Sequence, residues 1–266
     1  MSDLMSDRLI QATEIARAAG QLALDHFHRR DALVITTKRH VTDLVSEADR
    51  EVETLIRDAL TRAFPEDAQL GEEHGISPGQ SGFTWVIDPI DGTAPYLNGL
   101  PGWCVSIGGC DADGPALGVI YAPMLDEIFV AARGMGATLN GAPIGVAQGD
   151  LRSGLLGVGA NDRVASERVG QMLADLMEAG SAWVRYGSGA LMLAWVAAGR
   201  LVGYAEPRMS AWDCMAGYAL INEAGGRVLS FPDGELITEP APVLGAGPAV
   251  YDELTALCGF GTAKDW

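Results

Sequence analysis

The chain has 266 residues, with 18 Lys and Arg against 35 Asp and Glu and a net charge of −17. That balance repels a polyanion and argues against nucleic acid as a partner, while 48% apolar and 20% charged residues exclude a disordered chain or a coiled coil. The length suits one large α/β unit or two fused sub-domains.

The longest apolar run, Gly189 to Gly199, is 11 residues, too short for a hydrocarbon core that needs about 20. No membrane span is expected, and the acidic start, with Asp3 and Asp7, carries no visible secretory signal, so a cytoplasmic location follows. Cys104, Cys110, Cys214 and Cys258 form no CxxC pair and read as buried thiols.

Leu9, Ala12, Ala16, Ala19, Ala23 and Phe27 recur every three or four residues and predict a long amphipathic first helix. A second helix is expected to begin near Ser46, with Val52, Leu55, Ile56, Ala59 and Ala63 on its apolar side, and to stop at Pro65. Short β-rich runs follow at 83–87, 103–109, 117–121 and 128–132, and Asn140-Gly141 is a hairpin signal, so the middle of the chain reads as largely antiparallel. Beyond residue 150 strands and helices alternate. Strands are expected near Leu155 and Trp183 and at 201–205, 227–231 and 242–246. Helices are expected at 167–178, 190–198 and 213–223, the last closed by Gly225-Gly226, with a final helix from Ala249. The organisation is an N-terminal α+β half, 1–150, and a C-terminal α/β half, 151–266, packed as one unit.

Candidate chemistry starts in WVIDPIDGT, residues 85–93, where an apolar strand runs into Asp88 and Asp91 and Pro89, lacking a ladder donor, is expected to end it. Asp-Gly alone is an ordinary turn dipeptide. Glu72 in a polar loop and Asp213 at a helix start also have plain readings, as a solvated loop and a helix N-terminal residue. All four nevertheless lie at element ends, where an α/β fold gathers its site. Carboxylates sharing one cleft raise one another's pKa unless cations neutralise them, and an all-oxygen set selects a hard ion such as Mg²⁺. Asp43 and Asp49 add acids, and Ser46 with Asp49 has capping-box spacing.

No GxxxxGK[ST] loop is present. The DGT of 91–93 resembles that of haloacid-dehalogenase phosphatases, but Pro89 stands where their nucleophilic aspartate would be, which excludes a phosphoaspartate mechanism. The sequence shows no basic cluster, so a phosphate would be met by metal ions and backbone amides.

GEE at 71–73, WVIDPIDGT at 85–93 and WDCMAGYALINEAGG at 212–226, with DLVSEAD at 43–49 and GSGALMLAWVAAGRLVGYAE at 187–206, resemble the inositol monophosphatase family of Mg²⁺-dependent, lithium-sensitive phosphatases in order and spacing. The resemblance implies an α/β (α+β) fold, the layered αβαβα sandwich of the inositol monophosphatase and fructose-1,6-bisphosphatase type, and a homodimer. It also implies that Glu72, Asp88 and the Ile90 carbonyl hold one Mg²⁺ and that Asp88, Asp91 and Asp213 hold a second. Thr93 and Asp49 would polarise the attacking water, the amides of Gly92 and Thr93 would cradle the phosphate, and Glu206, with the backbone at Gly189 and Ala190, would face the substrate. Ala94, Pro95, Tyr96 and Met192 depart from the family pattern near the expected place of the substrate's alcohol. The implied activity is hydrolysis of a small phosphate monoester, myo-inositol monophosphate first. Histidinol phosphate, fructose 1,6-bisphosphate and 3′-phosphoadenosine 5′-phosphate are the alternatives within the class, and a catalytically silent metabolite-binding relative is the alternative outside it.

Overall fold

Both predicted N-terminal helices form, as α1 (Asp3–His28) and α2 (Glu47–Ala63). A computed structural model describes residues 3–29, 35–37 and 44–260; Asp43 lies outside the described residues. Ala12, Ala16, Ala19, Ala23 and Phe27 of α1 are buried together with Val52, Ile56 and Leu60 of α2, so the apolar stripe read from spacing is the packed face. The ribbon β1 (Ile35–Thr37) and β2 (Leu44–Ser46) leads directly into α2.

The middle of the chain supplies β3 (Ala68–Gly71), β4 (Gly75–Ser77), β5 (Thr84–Asp91), β6 (Cys104–Asp111), β7 (Gly114–Ala122), β8 (Glu127–Ala132), β9 (Ala137–Leu139) and β10 (Ala142–Pro143), with the short helix α3 (Thr93–Leu97) after β5. They form one eight-stranded sheet in the order β10-β9-β8-β7-β6-β5-β3-β4. Every pair in it is antiparallel except β3 with β5, as the short connections predicted. Asn140 and Gly141 both take positive φ, 50° and 81°, and turn β9 into β10.

The second half contains β11 (Leu155–Val158), α4 (Ser166–Glu178), β12 (Ala182–Val184), α5 (Gly189–Ala197), β13 (Gly203–Met209), α6 (Ala211–Glu223), β14 (Arg227–Val228), β15 (Ala241–Ala246) and α7 (Pro248–Cys258). The five strands order as β12-β11-β13-β15-β14. The strand expected at 201–205 is displaced to Gly203–Met209, because Leu201 still bonds back to the Trp195 carbonyl in the turn that ends α5. The strand expected at 227–231 is only two residues long.

Helices α1 and α2 cover the outer face of the large sheet, α5 and α6 fill the space between the sheets, and α7 with α4 covers the far side of the small one. The layers therefore read αβαβα. Close approach of α6 to β7 requires glycine at Gly118, where an added Cβ would lie 2.1 Å from the Ala216 carbonyl oxygen. The four cysteines are free and buried. Asp67, just before β3, is bridged by Arg8 of α1 at 2.7 Å and by the Trp85 indole at 3.0 Å, joining α1 to the strand that leads to the site.

Candidate active site

Strand β5 does not end at Pro89. It continues to Asp91 through a bulge, Asp88 pairing with Ser106 and Asp91 with Cys104, so that two residues, Pro89 and Ile90, face one. A bulge is one of the few sheet positions where a missing N–H costs no ladder bond. The irregularity also re-aims the side chains, and one oxygen each from Asp88, Asp91 and Asp213 lie within 4.8 Å of one another.

Each of these carboxylates is held by the backbone. Asp88 Oδ1 accepts from the Ile90 amide at 3.0 Å, inside the bulge. Asp91 Oδ2 accepts from Ser188 Oγ at 2.5 Å and from the Ala190 amide at 2.7 Å, with Gly189 donating to Oδ1 at 3.3 Å. Asp213 Oδ2 accepts from the Ser210 amide at 3.0 Å and closes a capping box at the start of α6, so the helix-start role and membership of the cluster coexist. Glu72 lies outside the close trio but lines the same cavity. Burial first, then the charges of Glu72, Asp91, Asp213 and Asp49, push the Asp88 carboxyl well above its usual range. Asp213 is raised in the same way by burial, Asp91 and Glu72. In Asp91 burial wins over the hydrogen bonds from Ser188 and the amides of Ala190, Gly189 and Leu191. Three mutually repelling carboxylates with oxygen-only donors fit a hard divalent cation, which would relieve the repulsion.

Beside them Thr93 Oγ1 stands 3.5 Å from Asp49 Oδ1 and 3.2 Å from the Ile90 carbonyl oxygen. Asp49 is 1% exposed in the first turn of α2. Gly92 turns the chain from β5 into α3 at φ 94°, and a Cβ there would lie 2.7 Å from the Gly102 carbonyl oxygen.

A cavity of about 1130 Å³ opens over the carboxylates, and Glu72, Asp91, Gly189, Glu206 and Asp213 line it. Glu206 accepts from Tyr204 Oη at 2.5 Å and from Asn161 Nδ2 at 3.1 Å. Burial raises its pKa against those two bonds and the nearby Arg185 charge. Among the described residues no ion pair joins Glu206 to Arg208. The amides of Gly189 and Ala190, expected to face substrate, bond to Asp91.

Arg163, Arg185 and Arg208 also line the cavity, together with Asp162 and Glu167, and the sequence reading did not single the arginines out. They are far apart in sequence, and only the folding of β12, β13 and the segment after β11 gathers them. Ala94 and Met192 line the cavity as expected, but Tyr96 points into the core, where its hydroxyl donates to the Ala23 carbonyl at 2.8 Å.

Charge-repelling carboxylates at a bulged strand mouth, under a cavity edged with arginines, belong to a phosphate-ester hydrolase of the layered αβαβα class. The chain belongs to the inositol monophosphatase family, whose sequence model matches residues 5–258. It is 41% identical over 220 residues to the Nus factor SuhB of Xylella fastidiosa, covering 81% of this chain and 79% of that one. To the histidinol-phosphatase of Chlorobaculum parvum it is 34% identical over 258 residues, 97% and 98% of the two chains. The solved inositol monophosphatase of Anabaena superposes with a TM-score of 0.79 at 33% identity over 96% of both chains.

Proposed function

We propose that this phosphatase hydrolyses myo-inositol monophosphate with Mg²⁺, held by Glu72, Asp88, the Ile90 carbonyl, Asp91 and Asp213. The observation that carries the reading is the trio of Asp88, Asp91 and Asp213 within 4.8 Å, whose repulsion asks for cations. Bound divalent cations there supply Lewis-acid polarisation of the ester and of a water. The Thr93 hydroxyl, between Asp49 and the Ile90 carbonyl, orients that water and passes its proton toward Asp49. Amides of Gly92 and Thr93 receive the phosphate, and Arg163, Arg185 and Arg208 favour an anionic substrate from the cavity wall. Glu206, fixed by Tyr204 and Asn161, accepts from the hydroxyls of the alcohol half.

Histidinol phosphate is the second reading, favoured because a carboxylate at Glu206 accepts equally from an ammonium group. The reading extends to lithium sensitivity and to a cytoplasmic homodimer. No helix among the described residues is long and apolar enough to cross a membrane, and exposed Leu155, Met177 and Trp183 offer apolar surface around β12. Phosphate release is to be measured with Mg²⁺, with and without millimolar Li⁺, on inositol 1-phosphate, histidinol phosphate, fructose 1,6-bisphosphate and 3′-phosphoadenosine 5′-phosphate. The highest kcat/KM is expected on inositol 1-phosphate; release from none of the four overturns the proposal.

A further inference from the structure

Glu53 is a charged side chain with 0% exposure that the proposed chemistry does not use. A buried carboxylate is costly unless it is paired and hydrogen-bonded, and its partners show what it holds. Oε2 accepts from the Glu73 amide at 2.7 Å, and Oε1 accepts from the His74 amide at 3.2 Å. Arg57, one turn further along α2, supplies the countercharge through Nε at 2.7 Å, and the His74 ring lies 3.3 Å away. The same guanidinium donates to Ser77 Oγ at 3.1 Å and to the Gly75 carbonyl. The turn between β3 and β4 is thus gripped at its amides by Glu53 and at its far end by Arg57.

Glu72 is the residue immediately before the gripped amides. Its own amide bonds to the Ile87 carbonyl at 3.2 Å, so its backbone is fixed by β5 on one side and by Glu53 on the other. Gly71 is part of the same fit, since an added Cβ would lie 2.1 Å from Glu53 Oε1. Asp49 and Glu53 are four residues apart and share one face of α2. That helix therefore presents one carboxylate toward Thr93 and uses the next to set the loop that carries Glu72.

We infer that Glu53 is a positioning residue for cation binding, acting through the backbone of the Glu72 loop, with Arg57 as its fixed countercharge. The inference rests on the proposed role of Glu72. Glutamine cannot replace Glu53, because its amide nitrogen would turn a donor toward backbone donors.

The test is calorimetric titration of the purified full chain with Mg²⁺ alone, beside thermal melting, for wild type, Glu53→Gln, Gly71→Ala and Asp88→Asn. Loss of a partner that orients metal ligands typically costs about 10- to 100-fold in metal affinity, and Glu53→Gln and Gly71→Ala are expected in that range. In assays, the Mg²⁺ concentration for half-activity should rise while KM for substrate stays unchanged and kcat at saturating Mg²⁺ largely recovers. A lower melting temperature with unchanged Mg²⁺ affinity makes Glu53 merely structural and overturns the inference. Should Glu53→Gln fail to fold, Gly71→Ala decides by the same comparison. If Asp88→Asn loses Mg²⁺ binding and the other two keep it, only this inference fails; if Asp88→Asn binds as tightly as wild type, the metal reading fails with it.

Discussion

Ser188 Oγ donates to Asp91 Oδ2 at 2.5 Å, across 97 residues of sequence. The bond ties the mouth of β5 to the start of α5, so the second half of the chain holds a carboxylate presented by the first. Ser188 also caps α5 by accepting from the Leu191 amide at 3.3 Å. Ser188→Ala removes a hydrogen bond to a charged group, and an unfolding free energy lower by about 1.5 to 3 kcal/mol is expected. Denaturant titration checks this, and an unchanged midpoint contradicts it.

Metal-free Asp88→Asn should be more stable than the wild type at neutral pH. The folded-state pKa of Asp88 is raised by burial and by Glu72, Asp91 and Asp213, so folding disfavours its ionised form. That penalty is absent below the ordinary carboxylate pKa of about 4, where folded and unfolded chains are both protonated. It grows as pH rises through the window up to the folded pKa and is complete above it. Melting curves in EDTA from pH 4 to pH 8 should show the variant's advantage widening with pH. A constant difference would refute like-charge crowding as the cause.

Thr93→Ala and Asp49→Asn are each expected to lower kcat by about 100-fold or more, the scale of a lost general base. The double variant should be little worse than either, because groups acting as a unit are not additive. If Asp49 serves only the first turn of α2, its loss lowers stability by about 1 kcal/mol and leaves kcat intact. Steady-state kinetics on the three variants distinguish the two.

The faces of α1 and α2 and the antiparallel middle were legible because apolar spacing reports directly on which side of an element is buried, whereas the short strands β1 to β4 and the helix α3 carry too few residues for such a pattern and were not read. The extent of β5 was not, because Pro89 signals a strand end unless a bulge absorbs it, and bulges depend on the partner strand. Asp91 and Asp213 could be singled out from their places at element ends and Asp88 from its spacing to Asp91, although Asp88 lies within β5 beside the bulge; the trio is also a packed cluster. Arg163, Arg185 and Arg208 escaped notice because only tertiary structure brings them to one cavity. Glu53 was lost among the polar positions of α2; its one local signal is Arg57 four residues later, which equally describes an exposed helix pair.

Glu206→Gln should separate substrates. A substrate that donates to the carboxylate should lose about 1.5 to 3 kcal/mol in kcat/KM terms, and 4-nitrophenyl phosphate, which has no such donor, should lose almost nothing. Comparing inositol 1-phosphate, histidinol phosphate and the aryl ester reads this directly. An equal loss on all three would make Glu206 a structural partner of Tyr204 and Asn161 instead.

Phosphate release from inositol 1-phosphate, followed with Mg²⁺, then in excess EDTA, then with Mg²⁺ restored, tests the account at its centre. Activity should vanish with the chelator and return with the ion. With Mg²⁺ present, before and after the chelator, Asp91→Asn should stay at least about 100-fold below wild type, as expected where a ligand itself is lost and not merely a partner of one. Undiminished turnover in excess EDTA would contradict the role assigned to Asp88, Asp91 and Asp213.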